Sequence, residues 1–320
     1  MNDDTVSLSP AGRAPRGDGV GGQQRARDFF LVCPICDSPA RSPRVTFPEL
    51  TFSRCQSCGL TYKSEEDPAL SSRLAKRYDA NYFLNGQAQY LKRWAHRVAK
   101  CRRQLLMCLE FAPHARTSLD VGCSAGYVLA AADSLGLHPT GIDFAPWAAG
   151  LGKQRGFDTA AASLTELPFR DASFDIVTAK HTLEHVRTPK QGFSEIARVL
   201  KPGGVSLIVV PDVGYWHLNA SPRGGRYFRP ERLGWQHHVY YDLSTLCRGA
   251  QDADLEVVSV DKAMPRRRLA KGLAAPYEWL RFAALKLWTT FARVTHLRRE
   301  LQVIVRKPGG VTPGPHRAYQ

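Results

Sequence analysis

The chain has 320 residues and a formal net charge of +15. This length allows a full hydrophobic core and an accessory module beside one domain of ordinary size. No stretch reaches the ~18 uncharged apolar residues of a membrane span and no signal peptide opens the chain, so we expect a cytoplasmic protein. Its eight cysteines are then expected to be thiols or metal ligands, because disulfides are rare in a reducing compartment.

The two ends of the chain are predicted to be disordered tails, at residues 1–28 and 309–320. The first is rich in Gly, Pro, Arg and Asp and has almost nothing to bury. We expect no chemistry there.

Two CxxC pairs come next, Cys33 with Cys36 and Cys55 with Cys58, and 18 residues separate them. This spacing is typical of a tetrahedral zinc site with four thiolate ligands, and it predicts a zinc ribbon at 29–62. Four protein ligands leave the metal no open position, so its expected role is structural. The ribbon is also a candidate docking surface for the substrate.

Residues 63–116 are predicted to be a helical connector. The segment "AQYLKRWAHRVAKCRRQLLMCLEFA" has an approximately helical apolar pattern between many basic residues. The apolar positions are Leu91, Trp94, Val98, Leu105, Met107 and Leu109. We expect an amphipathic helix that covers the entry side of the main domain.

The main domain is predicted at 117–308, where apolar strands alternate with helical segments. This alternation demands a parallel sheet, and we expect an α/β fold with a doubly wound, mostly parallel, Rossmann-like sheet of about seven strands. Such sheets bind ligands beyond the carboxyl ends of their strands.

The turn "LDVGCSAGYV" follows the first of these strands. Gly122 and Gly126 lie four positions apart, and the carboxylate of Asp120 would repel a phosphate placed beside it. Asp143 stands at the end of the next strand, where an acid can hold both ribose hydroxyls. A nucleoside without phosphate is therefore expected, and S-adenosylmethionine fits this pattern.

The segments "LDVGCSAGYVL", "TGIDFAPWA", "LPFRDASFDIVTAKHTLEHV" and "ARVLKPGGVSLIVVPD" together resemble the class I S-adenosylmethionine-dependent methyltransferases. The resemblance implies that the turn wraps the methionine portion, that Asp143 holds the ribose and that the segment before "LPF" borders adenine. Relatives often have an acid where Ser163 stands. The candidate cofactor residues are Asp120, Gly122, Cys123, Ser124, Gly126, Asp143, Phe144, Ser163, Leu164 and Lys180.

The order of CxxC pairs, "YDANYF" and methyltransferase core looks like a bacterial subgroup linked to the modification of sugars, polysaccharides and other small molecules. The expected reaction is methyl transfer to a hydroxyl of a sugar, of a glycan that is lipid-linked or free, or of another small molecule. A methyltransferase of RNA is the alternative. A cofactor-binding protein without catalysis is a third hypothesis.

A hydroxyl acceptor must lose its proton as it attacks, and histidines or carboxylates can accept it. The candidate catalytic residues are His181, Glu184, His185, His237 and His238, with His185 or His238 favoured as the base. The same set resembles the metal cluster of small-RNA 2′-O-methyltransferases, although His181 stands where that family has a carboxylate.

A basic amphipathic insert is predicted at 262–299, between the last two strands, and it holds much of the positive charge. Basic flanks around an aromatic helix are typical of a peripheral membrane contact, here through 265–299 on the inner membrane face. The same charge suits an RNA backbone. A substrate lid is the third interpretation.

Overall fold

The computed structural model describes residues 31–47, 50–66, 93–213, 237–261 and 300–309. Its strands are β1 (Arg41–Phe47), β2 (Leu50–Cys55), β3 (Thr61–Glu66), β4 (Thr117–Val121), β5 (His138–Asp143), β6 (Asp158–Ala161), β7 (Phe174–Lys180), β8 (Leu200–Pro211), β9 (Val239–Tyr240), β10 (Glu256–Asp261) and β11 (Glu300–Arg306). Its α-helices are α1 (Trp94–Phe111), α2 (Tyr127–Asp133), α3 (Pro146–Gln154), α4 (Pro189–Val199) and α5 (Leu243–Gln251).

The larger sheet has seven strands in the order β10-β11-β8-β7-β4-β5-β6. The neighbours from β8 to β6 pair in parallel, whereas β11 is antiparallel to both β8 and β10. The central strands are buried on both faces, which explains their continuous apolar sequences. The expected α/β fold with a doubly wound, mostly parallel sheet is confirmed.

Helix α1 covers one face of this sheet together with α2. Its fully buried side chains are Cys101, Gln104, Leu105 and Cys108, and its partly buried ones include Trp94. The apolar stripe that we expected contains Leu105 and Trp94 but omits the two cysteines. Thiols are small and apolar enough to pack at a helix–sheet interface, so the buried face of α1 is shifted toward them.

The smaller sheet has four antiparallel strands in the order β1-β2-β3-β9. Strand β3 runs to Glu66, past the ribbon boundary that we placed at 62. Strand β9 comes from the other end of the sequence, and its Val239 and Tyr240 pair with Tyr62 and Thr61. The ribbon is thus completed by a strand that follows the main domain's β8 in sequence.

The ribbon also shares a core with the main domain. Cys33, Ile35 and Tyr62 belong to the same buried apolar cluster as Phe193 of α4 and Leu246 of α5. Burial of this interface removes apolar surface from water on both sides, which favours a fixed placement of the ribbon on the domain.

The predicted tails, the segment "YDANYF" and the basic insert at 262–299 lie outside the described residues. Among the helices of the described part, none is long and apolar enough to cross a membrane.

The loop before β7 is fastened to α4 by one side chain. The guanidinium of Arg198 donates hydrogen bonds to the carbonyls of Leu167 and Phe169 and to the carboxylates of Asp171 and Glu195. Glu195 in turn accepts from the amide of Leu167, at 2.7 Å. These contacts fix a loop that the cofactor hypothesis places beside adenine.

We expect Arg198→Ala to lower the free energy of unfolding by about 2–3 kcal/mol, because two backbone carbonyls and a carboxylate lose a charged donor. Chemical denaturation measures this loss. Arg248→Ala is the matched control, since its ion pair with Asp252 is solvent-exposed at 3.6 Å and should contribute less than about 0.5 kcal/mol. Equal losses in the two variants would contradict the assignment.

Candidate active site

The glycine turn after β4 is held by steric and backbone constraints. Gly122 has a φ of 80°, and a Cβ atom there would lie 2.4 Å from the Oγ1 of Thr182. Gly126, with a φ of 85°, precedes α2 and donates its N–H to the carbonyl of Cys123. Only glycine fits position 122, because a side chain there meets both an unfavourable φ and the Thr182 hydroxyl.

The backbone of this turn is tied to β5. The amides of Gly122 and Cys123 both donate to the carbonyl of Ile142, at 2.8 and 2.9 Å. The amide of Ser124, which has a φ of 46°, donates to Oδ2 of Asp143 at 2.9 Å. These three amides therefore already have acceptors within the protein, and a ligand in the turn would meet other groups first.

Asp143 lies where the sequence predicts it, at the carboxyl end of β5. Its second carboxylate oxygen accepts from the amide of Ala145 at 3.0 Å, which orients the side chain from both sides. Burial raises the pKa of the Asp143 carboxyl, and its two backbone hydrogen bonds oppose that rise. The next side chain, Phe144, is 84% exposed, so its ring faces solvent beside the acid.

Asp120 occupies the end of the adjacent strand β4 and is only 4% exposed. Its Oδ1 accepts a hydrogen bond of 2.6 Å from the hydroxyl of Thr178 on β7. Burial raises the pKa of Asp120 to about 6; the Thr178 hydrogen bond and the charge of Lys180 lower it, whereas Asp143 adds to the rise. Two carboxylates thus lie near each other in a place that is poor in water, and a bound cation would stabilise both.

The remaining candidate cofactor residues line the neighbouring strand ends. Ser163 and Leu164 lie in the turn after β6; the Ser163 hydroxyl is 2.8 Å from that of Thr165, and Leu164 is buried. The Nζ atom of Lys180, at the end of β7, is 3.1 Å from the Sγ of Cys101. The structure therefore brings these side chains to the same edge of the sheet as Asp120.

The "HTLEHV" segment follows β7 in sequence and contacts the glycine turn at its start. The Thr182 hydroxyl donates to the carbonyl of Val121 at 2.9 Å, and a short 3₁₀ turn follows at Leu183–His185. His181 has a φ of 55° and lies 3.4 Å from Glu184 and 3.6 Å from Glu300. Burial disfavours its charged form, but these two carboxylates outweigh burial and raise the pKa of His181 to about 9.

Three groups of the predicted catalytic set converge. The ligating atoms of Glu184, His185 and His237 all lie within 4.8 Å of one another, and the two imidazole rings are 4.7 Å apart in an edge-to-face arrangement. Glu184 is 1% exposed, and neither of its carboxylate oxygens receives a hydrogen bond in the described part of the chain.

The two histidines before β9 are held neutral. Burial lowers the pKa of His237 to about 4, against the pull of Glu184. Burial and the positive charges of Lys63 and Arg187 lower the pKa of His238 to about 2. So weak a base accepts a proton poorly at neutral pH, which is an argument against His238 as the general base.

A chain of backbone hydrogen bonds connects this cluster to the ribbon. The amide of Lys63 on β3 donates to the carbonyl of His238 at 2.9 Å, and the amide of His238 donates to the carbonyl of Glu184 at 2.7 Å. The ribbon strand, the histidine segment and the 3₁₀ turn therefore form one continuous hydrogen-bonded layer.

The four predicted zinc ligands come together in the ribbon. Cys33 and Cys58 have their sulfur atoms 3.5 Å apart, those of Cys36 and Cys55 are 3.6 Å apart, and all four lie within 4.8 Å of one another. Tetrahedral zinc with bonds of about 2.3 Å separates its sulfurs by about 3.8 Å, so the donor set fits. A hydrogen bond from Cys33 lowers the pKa of Cys58 to about 5, despite its partial burial, which favours the thiolate that a metal binds.

Sequence reasoning missed four polar groups of the site. Thr178 and Thr182 contact the glycine turn, but hydroxyl residues near a strand end give no distinct pattern. Lys63 is completely buried on β3, in a segment that we assigned to the helical connector. Glu300 begins β11 and reaches His181 across the sheet, a contact that only the strand order reveals.

Residues 119–208 match a family model described as a methyltransferase domain. The matched region includes the glycine turn, Asp143 and the "HTLEHV" segment.

The chain is also similar to curated methyltransferases. It is 32% identical over 163 residues to a ubiquinone/menaquinone biosynthesis C-methyltransferase of Geotalea daltonii, covering 47% of this chain and 65% of that protein. It is 32% identical over 151 residues to a demethylmenaquinone methyltransferase of Renibacterium salmoninarum, covering 47% and 60%. A sterol 4-C-methyltransferase of Caenorhabditis elegans is 32% identical over 98 residues, covering 28% and 29%. Each match spans less than two thirds of the relative.

We expect Gly122→Ala to lower the free energy of unfolding by at least about 3 kcal/mol, from an unfavourable φ and the clash with Thr182. Gly136→Ala is the matched control, because Gly136 has a φ of 76° but nothing within 4 Å of its Cβ position. It should lose only about 1 kcal/mol. Adding Thr182→Ala to Gly122→Ala should recover part of the difference in denaturation experiments, and no recovery would show that the hydroxyl is not the obstacle.

Proposed function

We propose that this protein is an S-adenosylmethionine-dependent methyltransferase. The observation that carries the proposal is the pair of acids at neighbouring strand ends, the buried Asp120 and the half-buried Asp143, beside a glycine turn. Their burial disfavours a phosphate-bearing ligand and favours a nucleoside with positive charge. The methyltransferase-domain match over the same residues supports this interpretation.

The residues present fit the cofactor. Asp143 is oriented by two backbone amides and would accept hydrogen bonds from both ribose hydroxyls. Asp120 would attract the ammonium group, Phe144 offers an exposed ring to adenine, and the backbone around Ser163 completes that side. S-adenosylmethionine supplies a methyl group bonded to a positively charged sulfur. The protein contributes mainly by holding the acceptor in line with that bond.

The acceptor is proposed to carry a hydroxyl group that loses its proton on attack. Support comes from the cluster of His181, Glu184, His185 and His237. Its first member directly precedes Thr182, which contacts the glycine turn. Of the two bases favoured from sequence, the low pKa of His238 argues against it, and His185 is therefore the base that we propose.

The names of the relatives point to acceptors other than sugars. One is named for ubiquinone/menaquinone biosynthesis, one for demethylmenaquinone and one for a sterol. The first and the third are named as C-methyltransferases. A phenol that loses its proton becomes a nucleophile at oxygen and at the adjacent carbon, so a hydroxyl-directed base suits either product. The predicted sugar or glycan acceptor finds no support among these relatives, and the aromatic hydroxyl is the better proposal.

The ribbon is proposed to hold one zinc ion through Cys33, Cys36, Cys55 and Cys58. The sulfur separations support it, as does the amide of Cys58, which donates to the sulfur of Cys55 at 3.4 Å. Such a closed site stabilises the fold and leaves no position for substrate.

Asp143→Asn is expected to weaken binding of S-adenosylmethionine by roughly 30–100-fold, because the ribose loses a charged acceptor worth about 2–3 kcal/mol. Isothermal titration calorimetry measures the affinity. Asp158→Asn is the matched control, since Asp158 is exposed at the amino end of β6, whereas Asp143 lies at the carboxyl end of β5. Unchanged affinity in Asp143→Asn, or an equal loss in both variants, would count against the proposed cofactor site.

Cys55→Ser is expected to reduce the zinc content from about one ion per chain to a small fraction, measured by elemental analysis. Because β3 pairs with β9, the amides of Lys63 and His238 should also exchange faster with deuterium. Cys247→Ser provides the control, because this half-buried thiol lies outside the cluster. Full zinc retention in Cys55→Ser would remove Cys55 from the ligand set.

A further inference from the structure

The Glu184 carboxylate is a charged group inside the fold. It is 1% exposed, and no hydrogen bond reaches either of its oxygens within the described ranges. The nearest described cation is His181, whose Nδ1 lies 3.4 Å from Oε1. Removing a carboxylate from water without hydrogen-bond donors costs several kcal/mol. A buried carboxylate whose oxygens accept no hydrogen bond therefore indicates a missing partner.

The groups around Glu184 have the chemistry of metal ligands. The Nδ1 atom of His237 is buried and has no hydrogen-bond partner in the described part of the chain. Imidazole nitrogen is a common metal ligand in proteins. The rings of His185 and His237 lie edge to face, and their nitrogens and a Glu184 oxygen fall within 4.8 Å of one another.

We propose that Glu184, His185 and His237 bind a divalent transition-metal ion such as Zn²⁺ or Mn²⁺. Two imidazoles and one carboxylate suit these ions better than Mg²⁺ or Ca²⁺, which prefer oxygen ligands throughout. Bonds of about 2.1 Å require ligand atoms about 3.0–3.4 Å apart, so the present separations need only small side-chain adjustments. The ion would give Glu184 a further positive partner beside His181.

Backbone hydrogen bonds preset two of these ligands. The amide of His238 donates to the carbonyl of Glu184 at 2.7 Å, which fixes the His237 segment beside the 3₁₀ turn. On the other side, β3 fixes His238 through Lys63. The proposed ligands therefore come from two distant parts of the sequence that the ribbon strand holds in register.

Three protein ligands leave coordination positions open for water or an acceptor oxygen. This role rests on the proposed methyltransferase function. In it, His185 would bind the ion in place of its proposed role as the base. An acceptor hydroxyl on the metal would then ionise more easily, and its proton would pass to bulk water. Metal binding itself does not depend on that function and is tested without methyl transfer.

The experiment uses the full chain with its ribbon loaded with zinc. Mn²⁺ is titrated into this protein, and the free ion is followed by electron paramagnetic resonance; a parallel titration measures a second Zn²⁺ against a colorimetric chelator. We expect one further ion per chain. Glu184→Gln and His237→Gln should each weaken its binding at least about tenfold.

His138→Ala is the matched control, because His138 is exposed at the start of β5 and should leave the affinity unchanged. His185→Gln gives an independent test if the substitution at buried Glu184 prevents folding, which circular dichroism would show. Failure of both ions to bind beyond the ribbon, or an affinity that these ligand variants leave unchanged, would overturn the proposal. If the unmodified protein bound the extra ion but did not bind S-adenosylmethionine, only the proposed function would be overturned.

Discussion

The contact between Gly122 and Thr182 is the constraint on which the site depends. A Cβ atom at position 122 would lie 2.4 Å from the threonine hydroxyl, and that hydroxyl donates to the carbonyl just before the glycine. The segment after β7 therefore contacts the backbone of the turn after β4 through the side chain of Thr182. This contact joins the side that holds Asp120 and Asp143 to the side that holds the histidines. A methyl donor and an acceptor must meet at such a junction for in-line transfer.

The ribbon contributes to the same site through its backbone. Strand β3 receives β9 as its partner, and the residues just before β9 are His237 and His238. A ribbon that only stabilised its own fold would not need this exchange of a strand. In the observed arrangement, the four cysteines fix β3, β3 fixes β9, and β9 fixes the histidines over the carboxyl edge of the main sheet. The metal-bound ribbon would thus define the geometry of the acceptor side.

The main domain is largely predictable from sequence, because strand periodicity and strand-end acids are local signals. Asp120, Gly122 and Asp143 lie where their spacing places them, and the cysteine pairs meet as expected. The side chains that contact the histidine cluster could not be predicted in the same way. Glu300 reaches His181 only because β11 lies beside β8, and Lys63 meets the histidine segment only because β9 pairs with β3. Contacts that depend on strand order leave no pattern in a single sequence.

The most direct test of this account is transfer of a labelled methyl group. The zinc-loaded protein would be incubated with carbon-13 methyl-labelled S-adenosylmethionine and a fractionated bacterial extract, and each fraction examined by NMR. The account predicts label on a small molecule that carries an aromatic hydroxyl, with the methyl chemical shift identifying oxygen or carbon as the acceptor atom. If no fraction contained a newly methylated molecule, including the RNA and lipid-linked glycan fractions, and all label remained on S-adenosylmethionine, the account would be contradicted.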